Sequence, residues 1–318
     1  MHANEHDSGR SAEPAPAERQ LAGPPVRLTP NLEYALRGRN APWRYLAGFV
    51  GAVVLAITVA GVIIIGLQLS HLLPLDVARS LQDAAQPATF YPATGLIFGV
   101  LLLSFVAAAR VAHGKKFRDI IGVWRWPLFG QGLAIWLVVL LVATLIDFLI
   151  DPAGFRVTAG AQTPKLAALA LGGLAIQTFA EEFIFRGYVT QGLLAATRRT
   201  MPTALISGVL FGAMHIPNGV PQAVSATVFG VMLALIAIET GGLAFTSGLH
   251  LANNAFGAVV LISSGDAFRG SPGVLTQSSP QLMWWDTAVG AVSVTLVATW
   301  VFWSQRRGAS RRSSETMV

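Results

Sequence analysis

Eight apolar runs without a charged residue constrain the fold of this chain more than any other feature. They lie at about 45–70, 92–109, 127–146, 166–180, 201–216, 221–238, 242–263 and 287–304. A helix of about 20 apolar residues spans the hydrocarbon core of a bilayer. Only 12% of all residues are charged, whereas soluble domains carry about a quarter. We therefore predict an all-α, polytopic bundle of about eight transmembrane helices.

The segments outside these runs divide the chain into three predicted parts. Residues 1–43 are polar and rich in proline and alanine, a composition typical of a disordered tail. Residues 44–304 form the predicted transmembrane domain, and residues 305–318 form a basic tail. The first apolar run begins near Tyr45, farther from the start than the apolar region of a secretory signal peptide. We expect this run to be a retained membrane anchor.

The positions of the basic residues predict the topology. All but four of the 22 lysines and arginines fall in the tails or in alternate loops, and the exceptions are Arg79, Arg156, Lys165 and Arg269. Basic residues concentrate on the cytoplasmic side of membrane proteins, so both termini are expected in the cytoplasm. The net charge of +6 is thereby explained by topology, and we expect no nucleic-acid partner. Arginine predominates over lysine, which favours a bacterial cell membrane.

Three of the runs, or their immediate flanks, carry polar groups that are costly inside a bilayer. The fourth run leads into Glu181, Glu182 and Arg186, the fifth contains Phe211 and His215, and the seventh contains His250, Asn253 and Asn254. Each ionisable group at such a depth costs about 2.5–3.5 kcal/mol and needs a partner or a function. These residues are the candidates for a functional site.

Helical spacing separates the two adjacent acids. Glu182 and Arg186 are four residues apart and share a face, so they are predicted to form a structural ion pair. Glu181 points about 100° away from Glu182 and is predicted to be the reactive carboxylate, although either acid can rotate inward. If the fourth and fifth runs form a hairpin with its apex near Arg199, Glu181 and His215 lie at levels about 3 Å apart. We therefore expect Glu181 and His215 to meet.

The same spacing groups the remaining polar residues. His250 and Asn254 lie one turn apart and are expected to present an imidazole and a carboxamide to one small volume. Phe211 shares a face with His215 and is expected to shield it from lipid.

Several protease chemistries are excluded by the sequence. The chain has no cysteine, so neither a thiolate nucleophile nor a disulfide is available. It also lacks the H-E-x-x-H motif of zinc proteases and a G-x-S-G serine motif. No second intramembrane aspartate is placed to form a dyad with Asp266. Glutamate and histidine remain as the chemical groups.

The three polar segments resemble the motifs of a known membrane family. E-E-F-I-F-R at 181–186, F-G-A-M-H at 211–215 and H-L-A-N-N at 250–254 resemble the E-E-x-x-x-R, F-x-x-x-H and H-x-x-x-N motifs of the CPBP family. These are the CAAX-protease and bacteriocin-processing intramembrane endopeptidases, also called the Abi family. The resemblance covers about residues 165–263.

The resemblance implies a function and a role for each motif residue. It implies that Glu181, with His215, activates a water for attack on a peptide carbonyl, while His250 and Asn254 stabilise the oxyanion. Glu182, Arg186 and Phe211 match the rest of the motifs. The expected partners are the lipid bilayer and a membrane-associated peptide or protein substrate.

Three alternatives remain open from the sequence. A catalytic zinc held by Glu181, His215 and His250 is the alternative to metal-independent water activation, which we favour. A proton-coupled transporter with Glu181 and His215 as a relay is the alternative function. A non-catalytic scaffold or bacteriocin-immunity protein is the third.

Overall fold

A computed structural model describes residues 30–71, 86–263, 268, 271, 273–278 and 283–315 of the chain. Helices dominate these residues. The long elements are α2 (Pro42–Leu69), α3 (Pro87–Ala108, continued by a π-helix at Ala109–His113), α5 (Trp126–Ile150), α6 (Thr163–Glu181), α9 (Val220–Thr240) and α11 (Met283–Glu315). A π-helix (Glu182–Val189) joins α6 to α7 (Thr190–Thr197). Shorter helices are α1 (Pro30–Ala35), α4 (Phe117–Ile121), α8 (Thr200–Ala213) and α10 (Ala244–Ala255, continued by a π-helix at Phe256–Val260).

Each of the eight predicted apolar runs coincides with a helical segment of the bundle. Among the described residues six of these segments are long and apolar enough to cross a membrane, α8 is a shorter apolar helix, and the α10 segment is not one of the six. The chain is an all-α, multi-pass integral membrane protein, as predicted.

A small sheet was not predicted. Strands β1 (Phe155–Val157), β2 (Leu261–Ser263) and β3 (Leu275–Gln277) pair in the order β1-β3-β2, antiparallel between β1 and β3 and parallel between β2 and β3. Strand β1 comes after α5, β2 comes after the α10 segment, and β3 comes before α11. Strands this short give little signal in a sequence, because three residues hold barely one alternation of side chains. The sheet ties together the loops at one end of the bundle.

The predicted disordered tail, residues 1–43, needs a correction at its carboxyl end. Residues 1–29 lie outside the described part of the chain. From Pro30 the chain is helical, and Leu32 and Ala35 of α1 pack in an apolar cluster with Leu194 and Ile238. Burial of this apolar face explains why the segment is ordered despite its polar neighbours.

Lys115 anchors the same segment to the bundle. Its buried Nζ donates to the backbone oxygens of Tyr34 and Ala35, both at 3.1 Å, and so caps the end of α1. It also donates to the Tyr45 hydroxyl (3.0 Å) and to Gln191 Oε1 (2.9 Å). One ammonium group therefore joins α1, α2 and α7.

Glycines allow the helices to pack closely where the polar motifs lie. A Cβ on Gly248 of α10 would collide with the backbone of Phe129 in α5, and a Cβ on Gly132 would collide with the backbone of Phe245. Gly208 of α8 lies equally close to the backbone of Val231 in α9. Small residues at helix crossings let backbones approach in membrane proteins. The crossing of α5 and α10 brings Trp136 within reach of the polar residues of α10.

The predicted topology can be tested by thiol labelling, because the natural chain has no cysteine. Val157 in β1 and Arg118 in α4 are both exposed, and the 25-residue helix α5 lies between them. In intact cells an impermeant reagent should label Val157→Cys and leave Arg118→Cys unlabelled. Both sites should label once the membrane is permeabilised. External labelling at position 118 would contradict the model with both termini in the cytoplasm.

Lys115 predicts a specific dependence of stability on pH. The pKa of Lys115 is lowered from 10.5 to about 8. Burial is the largest cause of this shift, and the negative charge of Asp119 opposes it. Between about pH 8 and 10.5 the unfolded chain holds a proton on this lysine that the folded protein has lost, so stability rises with pH. The wild type should gain roughly 2 kcal/mol over Lys115→Met between pH 7 and pH 9.5.

Thermal unfolding in detergent at several pH values measures this difference. Lys116→Met is the matched control, because that side chain is exposed, and its melting temperature should follow the wild type at each pH. A constant difference between the wild type and Lys115→Met would disprove the assignment.

Candidate active site

The two adjacent acids lie at the point where α6 becomes a π-helix. The helix changes at Glu182, and the hydroxyl of Thr190 reaches back five residues to the oxygen of Phe185 (2.7 Å). Residues 182–188 are all buried, unlike the preceding turns of α6. Short π-helical segments inside α-helices are frequent at functional sites.

Both acids contact the same histidine from α10. His250 Nδ1 lies 2.8 Å from Glu182 Oε1, and His250 Nε2 lies 3.6 Å from Glu181 Oε2. The first distance is that of a hydrogen bond, and the second is too long for one. The imidazole therefore lies between the two carboxylates and is bonded to Glu182.

Glu182 and Arg186 form the predicted ion pair. Arg186 Nη1 lies 3.2 Å from Glu182 Oε1, and both side chains are 0% exposed. The guanidinium also lies 4.0 Å from the centre of the Phe211 ring, a cation–π contact. Phe211 in turn packs edge-on against Phe185. The ion-pair prediction made from spacing is confirmed.

Glu181 has different surroundings from Glu182. Its side chain is 11% exposed, against 0% for Glu182, so Glu181 is the less buried of the two acids; its Oε2 is itself buried. Gln177, one turn earlier on α6, donates from Nε2 to Glu181 Oε1 at 2.6 Å. The less buried acid of the pair is thus the one that the sequence analysis assigned as reactive.

His215 does not occupy the expected position. Among the described residues it forms no hydrogen bond or ion pair with Glu181, and its Nδ1 donates to the backbone oxygen of Phe211 at 2.8 Å. The hairpin turn does fall at Arg198 and Arg199, between α7 and α8, as predicted. Equal depth on two helices does not fix which way the side chains face, and here His250 takes the place beside Glu181.

The Phe211 ring still links the two histidines. Its centroid lies 4.6 Å from that of His215 and 5.8 Å from that of His250. The predicted contact between Phe211 and His215 is confirmed. Phe229 of α9, which the sequence analysis did not single out, packs edge-on against His250 at 5.6 Å.

Asn254 is connected to Glu181 through Gln177. Asn254 Nδ2 donates to Gln177 Oε1 at 3.0 Å. Asn253 Nδ2 donates to Asn254 Oδ1 (3.1 Å), and Trp136 Nε1 of α5 donates to Asn253 Oδ1 (3.0 Å). Gln177 and Trp136 were missed from the sequence. A polar residue four positions before Glu181 in an apolar helix was the available signal for Gln177.

The comparisons with known proteins give one family match. Residues 163–256 match the family model for type II CAAX prenyl endopeptidase Rce1-like proteins, and all three motifs fall within that segment. The resemblance to the CPBP family is confirmed. The match supports an activity of the CAAX-protease, or membrane hydrolase, kind.

One relative extends the similarity along the chain. The uncharacterized protein YyaK of Bacillus subtilis (strain 168) is 24% identical over 291 residues, which cover 87% of this chain and 97% of YyaK. No solved structure matches the chain. The Bacillus relative agrees with a bacterial membrane.

The alternative zinc site does not fit the described geometry. Among the described residues no group of three histidines or acids is placed to hold a metal ion. Glu181, His215 and His250 are therefore not grouped as ligands in the described part of the chain.

Removal of the Glu182 carboxylate should destabilise the protein. Glu182→Ala leaves the buried guanidinium of Arg186 without its counter-ion, which typically costs about 3–5 kcal/mol. Thermal unfolding of purified protein and its yield from membranes measure the loss. Glu239→Ala, which changes a half-buried glutamate on α9, is the control and should have little effect.

A double variant separates charge from packing. Arg186→Met in the Glu182→Ala background removes the unpaired cation and should restore part of the melting temperature. An unchanged melting temperature for Glu182→Ala alone would show that the ion pair does not support the fold.

Proposed function

We propose that this protein is an intramembrane endopeptidase that cleaves a membrane-associated peptide or protein with a water activated by Glu181. One observation carries the proposal: Glu181 is the less buried of the two acids that contact His250, and the Gln177 amide, itself bonded to Asn254, donates to its Oε1. An acid, an imidazole and amide donors around one point are the groups that peptide hydrolysis needs.

Glu181 acts as the general base. Its carboxylate takes a proton from a water molecule while the water oxygen attacks the carbonyl carbon of the peptide. The hydrogen bond from Gln177 holds one carboxylate oxygen. The other oxygen, Oε2, is buried and has no hydrogen-bond partner among the described residues, and it receives the proton.

His250 carries that proton to the leaving amine. Its Nδ1 donates to Glu182, so in the neutral ring Nε2 is an acceptor, and this nitrogen faces Glu181 Oε2. Nε2 takes the proton and gives it to the nitrogen of the broken peptide bond. Glu182, paired with Arg186, holds the ring and stabilises its charged form, as an acid does behind a catalytic histidine.

This assignment changes the expected role of His250. The resemblance implied that His250, with Asn254, stabilises the oxyanion. A neutral imidazole whose only hydrogen is on Nδ1 cannot donate from Nε2. Asn254 therefore remains as the oxyanion donor, with the second hydrogen of Nδ2, since the first is bonded to Gln177.

His215 is assigned to the substrate side of the site. Its Nδ1 donates to the Phe211 oxygen, so Nε2 is the nitrogen that can meet a water or a substrate. Phe211 fixes the ring by contact with it.

Substitution of the base should separate activity from folding. Glu181→Gln keeps the shape and the hydrogen-bonding capacity of the side chain but cannot take a proton. We expect cleavage to fall at least on the order of 10²-fold, with an unchanged melting temperature. Glu239→Gln is the matched control and should cleave as the wild type does.

The assay needs no known substrate. New amino termini in membranes from cells that express each variant report cleavage, and purified protein can be tested on farnesylated and unfarnesylated peptides that end in a CAAX sequence. Wild-type products absent with Glu181→Gln would support the proposal. Equal cleavage by the wild type and Glu181→Gln would contradict the proposal. Proton-coupled flux without any cleavage would favour the alternative of a transporter.

A further inference from the structure

Gln177 is the side chain that connects the acid of α6 with the amides of α10. It is half-buried, and it uses both ends of its carboxamide: Nε2 donates to Glu181 Oε1 at 2.6 Å, and Oε1 accepts from Asn254 Nδ2 at 3.0 Å. None of the three motifs contains this position.

The connection continues to α5 as one chain of hydrogen bonds. Trp136 donates to Asn253, Asn253 to Asn254, Asn254 to Gln177, and Gln177 to Glu181, with donor–acceptor distances of 3.0, 3.1, 3.0 and 2.6 Å. Three amides in series thus lie between an indole and a carboxylate.

The two ends of the chain fix its direction. An indole N–H can only donate, and an ionised carboxylate can only accept. If any one amide between them were turned around, a donor would face a donor or an acceptor would face an acceptor. The orientation of the Asn254 carboxamide is therefore set from Trp136 at one end and from Glu181 at the other.

This direction leaves donors next to the acid. Each amide nitrogen has two hydrogens and donates one of them to the next group in the chain. The second hydrogens of Asn254 Nδ2 and Gln177 Nε2 remain, and both nitrogens lie within two hydrogen bonds of the Glu181 carboxylate.

We propose that Gln177 is a positioning residue that holds the Glu181 carboxylate and the Asn254 amide in register, with Trp136 and Asn253 fixing the polarity of the chain. The inference rests on the proposed function for its catalytic consequence. Gln177 acts through its two neighbours, because a misplacement of about 1 Å in reacting groups lowers turnover on the order of 10²-fold.

Gln177→Leu tests the proposal, since it keeps a similar volume and removes both hydrogen bonds. We expect kcat to fall about tenfold to 100-fold, with KM within about twofold and an unchanged melting temperature. Gln131→Leu is the matched control, because Gln131 lies exposed on α5.

Trp136→Phe removes only the first donor and should lower kcat several-fold, which tests the chain even if Gln177→Leu fails to fold. Trp300→Phe, at an exposed tryptophan of α11, is its control.

A double-mutant cycle distinguishes positioning from general support of the fold. If Gln177 acts through Asn254, Gln177→Leu should lower kcat by a much smaller factor in the Asn254→Ala background than in the wild type. The proposal would be overturned if the two substitutions lowered kcat by independent factors that multiply in the double variant. It would also be overturned if Gln177→Leu changed only KM, or left kcat within twofold of the wild type.

An infrared readout keeps this test independent of cleavage. The difference spectrum between wild type and Glu181→Gln isolates the carboxyl band of Glu181. Gln177→Leu should shift that band, whereas Gln131→Leu should not. If the band shifts but the protein has no protease activity, the hydrogen-bond chain is supported and the proposed function is rejected. An unshifted band would reject the chain.

Discussion

A fully buried guanidinium is the constraint on which the rest of the site depends. Arg186 lies inside an apolar helix bundle with no exposed atom, and an arginine cannot lose its proton there. The bundle compensates the charge with the carboxylate of Glu182 and the face of Phe211. The same Glu182 Oε1 accepts from His250 Nδ1, and the second nitrogen of His250 faces Glu181. The position of His250 thus follows, through two contacts, from the need to neutralise one cation, and Gln177 holds the Glu181 carboxylate beside it.

The site is assembled from helices that are held close by small residues. Glycines at the crossing of α5 and α10 bring Trp136 to Asn253, and the glycine of α8 that meets Val231 brings the Phe211 helix against α9. Because lipid tails are as apolar as the helix surfaces, close packing and interhelical hydrogen bonds must hold such a bundle together. The amide chain from α5 through α10 to α6 supplies such hydrogen bonds at the depth where the acids lie. Structural and chemical roles therefore reside in the same side chains.

The sequence predicts those features that depend on a single helix. The apolar runs predicted helical segments, six of which are long and apolar enough to be spans among the described residues. The four-residue spacing predicted the pairing of Glu182 with Arg186 and of Phe211 with His215. The expected contact between Glu181 and His215 was wrong because it depends on how two helices are rotated about their axes, which the spacing along each helix does not fix. The chain through Gln177 was missed for the same reason, since it joins three helices. The ordered helix at Pro30–Ala35 was missed because its partners, Leu194 and Ile238, are distant in sequence.

Two cations, Arg186 and Lys115, are buried among the described residues, and their charges are compensated in different ways. Arg186, within a long helical segment, is met by a carboxylate, whereas Lys115, in the loop that follows α3, is met by backbone oxygens, a hydroxyl and an amide. A lysine can release its proton when it is buried, so neutral acceptors suffice, and its pKa of about 8 reflects this. An arginine remains charged at every accessible pH and requires a counter-ion. The positive charge beside Glu182 and His250 is therefore constant, and the cation that responds to pH lies instead at the anchor of α1, apart from the candidate active site.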